Sequence, residues 1–99
     1  MNPNILVSIR LKSIEKEELK ALKAYTGLSY ADLSNRIESD EPISLIQLKS
    51  VNFYSGVKEL LILLKSFKSD YKLLNENEEI KFQDLQAISD RKVRLSDFR

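Results

Sequence analysis

Apolar and polar residues alternate near the start of the chain. Ile5, Val7, Ile9 and Leu11 fall on one side of a period-two pattern and Leu6, Ser8, Arg10 and Lys12 on the other, which predicts a strand over residues 4–12. Ser13 then stands in N-cap position before Ile14-Glu15-Lys16-Glu17-Glu18-Leu19-Lys20-Ala21-Leu22-Lys23-Ala24-Tyr25, with acids at its start and lysines towards its end, as the helix dipole favours. Lys16 occupies the place where a full capping box needs glutamate or glutamine, so the cap signal is partial. Gly27 predicts a left-handed stop for this helix. Ser29, with Asp32 three residues on, caps a second, shorter helix whose Leu33 and Ile37 share a side. The polar break Glu38-Ser39-Asp40-Glu41-Pro42 ends that helix near Ser39.

Ile43, Leu45, Ile46 and Leu48 suggest a second strand of weaker alternation, with a short helix as the alternative. From Asn52 to Lys68 the pattern is that of an amphipathic helix: Val57, Leu60, Leu61, Leu64 and Phe67 recur at helical spacing. Tyr71, Leu73 and Leu74 predict a third short strand, and Asn75-Glu76-Asn77-Glu78-Glu79 a polar turn or linker. The remainder reads two ways. Phe82, Leu85 and Ile88 suit a short helix, while Val93 and Leu95 alternate with Lys92, Arg94 and Ser96. Internal repeats and low-complexity tracts are absent from the sequence.

These elements predict an α+β sandwich in the order β-α-α-β-α-β, a short and mostly antiparallel three-stranded sheet covered by three helices. Residues 1–75 form the domain, and residues 76–99 a C-terminal extension packed back on it. The expected core draws on Ile5 or Leu6, Val7, Ile9, Leu19, Leu22, Leu28, Leu33, Ile37, Leu45, Val57, Leu60, Leu61, Leu64 and Phe67.

Composition narrows the chemistry. The 99 residues contain no histidine and no cysteine. Those two types supply most neutral-pH proton shuttles, zinc and copper ligands and thiol nucleophiles. The carboxylates, lysines, tyrosines and hydroxyls that remain form no catalytic pattern, so the expectation is a protein that is not an enzyme and needs no cofactor. Two acidic clusters, Glu38/Asp40/Glu41 and Glu76/Glu78/Glu79, lack the spacing and the glycine of a calcium loop and read as solvated turns. Sixteen lysines and arginines against 15 acids give a net charge of +1, without the basic excess of a nucleic-acid binder. The run Asp90 to Arg99 is the basic exception: Arg91, Lys92 and Arg94 could meet phosphates and Phe98 stack on a base. Met1-Asn2-Pro3-Asn4 lacks the charge pattern of a signal peptide. The run Leu60-Leu61-Ile62-Leu63-Leu64 is far shorter than the roughly 20 residues of a membrane span. A cytoplasmic location is the expectation.

The segment from Tyr25 to Ser39 resembles the helix–glycine–helix elbow in the C-terminal domain of the bacterial ribosomal stalk protein. Thr26-Gly27-Leu28, then Ala31, Ile37, Glu38 and Pro42, stand at comparable places, and the resemblance covers residues 4 to about 75. That fold is shared with the adaptor of the Clp protease, and the resemblance implies a docking module of a bacterial cytosol without catalytic residues. It transfers no binding residue. The stalk domain implies lysines around the elbow, where this chain has Ser29-Tyr30-Ala31-Asp32. The adaptor implies acidic and asparagine residues after the first strand, where this chain has Leu11-Lys12-Ser13-Ile14.

Ile62 departs from its helix. At about 100° per residue it points nearly opposite the apolar stripe, among Lys58, Glu59, Lys65 and Ser66. Either the C-terminal extension folds over it, or it is an exposed anchor for a partner, or it is a lone exposed isoleucine. The candidate partner-binding residues are therefore Ile62, Tyr30 in the elbow, and Arg91, Lys92, Arg94 and Phe98 in the basic tail. The expected function is protein–protein docking. A small immunity protein that neutralises a bacterial toxin is the alternative, and a ribosome- or RNA-associated factor the third reading.

Overall fold

The computed structural model describes residues 5–49, 51–76 and 78–92. Within them the chain runs β1 (Ile5–Leu11), α1 (Lys16–Thr26), α2 (Tyr30–Glu38), β2 (Ile43–Leu48), α3 (Phe53–Lys65), β3 (Tyr71–Asn75), β4 (Glu78–Ile80) and α4 (Phe82–Ser89). The strands form one sheet in the order β2-β1-β3-β4, and every neighbouring pair is antiparallel.

β1 lies inside the sheet because one of its faces is apolar throughout: Ile5, Val7, Ile9 and Leu11 are all buried. Leu22 of α1, Leu33 of α2, Leu60 of α3 and Leu85 and Ile88 of α4 join them in one cluster, so all four helices cover that face. The other face carries exposed Arg10, Ser44, Gln47, Lys72 and Glu79, with half-buried Leu6 and Leu74 between them. The fold is a two-layer α+β sandwich with one sheet face open, the arrangement antiparallel sheets allow.

Among the described residues the expected three strands and three helices become four of each, because residues 78–89 form structure of their own. The polar stretch after β3 is a hairpin turn in which Glu76 takes a left-handed φ of 59°. It sets Leu73 opposite Ile80 and Leu74 opposite Glu79. Ile80, Leu85 and Ile88 enter the core, and α4 packs against α3.

The weak alternation of the second strand has a definite cause. Between Val7 and Ser8 the register slips: Val7 faces Ile46 and Ser8 faces Ser44, leaving Leu45 as the extra residue of a bulge. Ile43 and Leu48 are five residues apart and would lie on opposite faces of a regular strand. Because of the bulge they oppose Ile9 and Ile5, four apart on β1, and both are buried. Leu45, expected in the core, is half-buried instead. Leu19, Leu28, Ile37 and Phe67 are likewise half-buried at the core's margin, while of the pair Ile5 and Leu6 it is Ile5 that enters the core.

The first helix begins later than Ser13 implies. Its N-cap is Glu15, whose amide donates to Glu18 Oε1 at 3.1 Å. Glu18 is buried, 3% exposed, and also accepts from the Ser69 hydroxyl at 2.6 Å, the Ser69 amide at 3.1 Å and the Lys68 amide. One carboxylate thus ties the start of α1 to the loop between α3 and β3. Burial alone would push this carboxyl up. The four hydrogen bonds, led by that of the Ser69 hydroxyl, outweigh it and hold the pKa at about 2. The elbow forms as expected: Gly27 has φ 76° with its amide on the Lys23 carbonyl, and Ser29 Oγ accepts from the Asp32 amide at 3.1 Å.

Candidate docking site on the outer face of the third helix

α3 is apolar over half its circumference, and its neighbours explain the rows. Gly56 faces β2 so closely that a Cβ there would stand 2.8 Å from Leu48 Cδ2 and 3.0 Å from Ile46 Cδ1. Leu63, two turns on in the same row, is buried although it lies outside the stripe read from the sequence. Tyr54 and Leu61 make the opposite flank. Arg91, just past α4, lies over the Tyr54 ring at 4.7 Å, so the C-terminal segment covers this side.

The arc left over carries Ser55, Lys58, Ile62 and Lys65, at successive spacings of three, four and three, and Val51 lies in the turn just before the helix. All five are exposed, Val51 by 89% and Ile62 by 67%. The described part of the C-terminal extension docks on α3 without covering Ile62, and residues 93–99 lie outside the described residues. Threes and fours are the spacing by which one helix meets a partner helix or groove. Here Ile62 stands between two lysines, with Glu59 at the margin.

The other candidates are distributed around the fold. Tyr30, 43% exposed, sits at the α1–α2 elbow with the Lys23 ammonium 5.1 Å from its ring centre. Arg91 is engaged with Tyr54, and Lys92 is exposed beside it. Arg94 and Phe98 lie outside the described residues. Val51, in the turn before α3, is the other strongly exposed aliphatic residue near Ile62 in the chain, and no helical spacing links the two.

Two shallow clefts lie on the sheet side. One of about 310 Å³ is lined by Arg10, Lys12, Asp40, Asp70, Tyr71 and Lys72, with Arg10 Nε 3.6 Å from Asp40 Oδ1. The other, of about 430 Å³, runs from Tyr71 past Glu79 to Phe82. Burial pushes the Tyr71 phenol up, and burial together with the Glu59 carboxylate does the same to Tyr25. Among the described residues no three acids converge as a metal site, and no helix is long and apolar enough to cross a membrane. No family model, no curated protein and no solved structure matches the chain.

Proposed function

We propose that this chain is a non-catalytic docking module that binds another protein through the outer face of α3. The observation that carries this reading is the exposure of Ile62 on α3 between Lys58 and Lys65. A water-facing isoleucine on an otherwise polar helix face is costly unless a partner removes it from water. The lysines beside it suit a partner surface that is apolar with acidic flanks. The resolved pKa shifts move Glu18 down and two tyrosines up, away from the neutral range in which acid–base catalysts work. The likeness of the elbow to stalk and adaptor domains supports docking by analogy alone.

The absence of cysteine makes a direct test simple. Ile62→Cys and Gln83→Cys each create one thiol, on the outer face of α3 and on α4 respectively. Labelled with a photo-crosslinker in native extract, the first should yield a discrete covalent partner and the second should not. Ile62→Asp should abolish that adduct's non-covalent counterpart in a pull-down while changing stability by no more than about 0.5 kcal/mol, as befits an exposed position. Identical adducts from both thiols would sink the assignment. One tight, stoichiometric partner identifies the immunity-type reading, and several weak partners the adaptor type.

A further inference from the structure

The two edges of the sheet are built differently. β4 is three residues long and presents Glu78 and Glu79, so two such edges paired antiparallel would set Glu79 against Glu79. β2 is six residues long, Ile43-Ser44-Leu45-Ile46-Gln47-Leu48, with no charge and no proline. Its pattern reads the same in both directions: apolar, polar, apolar, apolar, polar, apolar.

The ladder fixes which of its backbone groups are free. The Leu6 amide donates to Asn75 Oδ1 at 3.2 Å, so Leu6 and, by alternation, Ser8 turn their backbone groups to β3. Ile5, Val7 and Ile9 therefore face β2, and their partners Leu48, Ile46 and Ile43 face back. Gln47 and Ser44, opposite Leu6 and Ser8, point their N–H and C=O outwards. Consistently, the Gln47 carbonyl accepts from Asn52 Nδ2 at 3.1 Å, outside the sheet. In a regular strand, residues 44 and 47 point opposite ways. The bulge at Leu45 is what turns both outwards.

We propose that two copies of this chain join through their β2 edges, antiparallel about a two-fold axis between Leu45 and Ile46. Ser44 of each copy then opposes Gln47 of the other, and these are the residues whose backbone groups face outwards. The Gln47 carbonyl keeps a second lone pair beyond the one Asn52 occupies. Across the axis Leu45 meets Ile46 and Ile43 meets Leu48, so every pair is apolar with apolar or polar with polar. Lys49 of one copy opposes Pro42 of the other at both ends, one residue from Glu41, whereas parallel pairing would set Lys49 against Lys49. The contact is isologous and closes after two copies.

Sedimentation at about 0.1 mM should give twice the 11.5 kDa of the chain. Ser44 and Gln47 side chains are exposed on the open sheet face, so they accept charge without disturbing the core. S44K/Q47K sets lysine against lysine twice per dimer and should weaken association about tenfold. S44K/Q47E sets lysine against glutamate and should restore it. Far-UV circular dichroism should be the same for all three chains. A wild-type monomer at that concentration overturns the proposal. So does a dimer indifferent to S44K/Q47K, or one that S44K/Q47E fails to restore.

Discussion

Cut after Asn75, the chain should lose its cooperative unfolding transition at 25 °C. The truncation removes β4 and α4, and with them Ile80, Leu85 and Ile88, which are 8%, 1% and 0% exposed. At about 1.5–3 kcal/mol for each buried aliphatic side chain, their loss amounts to about 5–9 kcal/mol. The whole stability of a domain this size is about 5–15 kcal/mol. The cut also strips the cover from Leu61 and Tyr54 on α3 and leaves β3 as a new edge. Circular dichroism and urea titration should show reduced helix signal and a broad, shallow profile in place of a single sharp transition. A single substitution gives a graded version. Ile88→Ala should cost about 2–5 kcal/mol, read from the urea midpoint at unchanged slope. A truncated chain that melts like the intact one would make residues 76–99 an appendage.

The reason this segment looked like an extension lies in its residues. In the sequence Ile80 stands alone after five polar positions, and one apolar residue has no periodicity to display. The strand exists because the hairpin brings Ile80 opposite Leu73, a long-range pairing that no local pattern encodes. Where the burial is one-sided and local, legibility is high. Ile5 to Leu11, the Gly27–Ser29 elbow and the Val57–Leu64 stripe all appear as their spacing predicts. β2 is legible as a strand, but its inward residues are not, because one extra residue reverses the phase midway. Leu63 and Gly56 are hidden for a related reason: α3 has neighbours on two flanks, and a moment calculated for one flank omits the other. At the candidate site Ile62 stands out as apolar on a polar face. Val51 does not, because it precedes the helix and lacks helical neighbours on its N-terminal side.

Glu18 provides the second large effect, and its sign follows from the depressed carboxyl. With a folded pKa of about 2 against an ordinary value of 4.5, the folded state holds its proton less tightly than the unfolded chain. Its contribution is therefore complete above pH 4.5 and is lost as the pH falls towards 2. A shift of this size corresponds to about 3 kcal/mol for a fully screened-off group, and to about 2 kcal/mol once the exposed Lys68 loop admits solvent. Glu18→Gln should lower stability at pH 7 by about that amount or more, since an amide nitrogen would then confront the Lys68 and Ser69 amides, donor against donor. The variant should also show a shallower decline between pH 4.5 and pH 2 than wild type. Ser69→Ala removes the strongest of the four hydrogen bonds and leaves three, so it should fall between the two. Urea midpoints measured at pH 7 and at intervals down to pH 2 test both points. Parallel acid profiles for wild type and Glu18→Gln would show that the clamp does not govern acid stability. The same carboxylate caps α1 and holds the loop that leads into β3, next to β1 in the sheet, so its protonation loosens helix and sheet together.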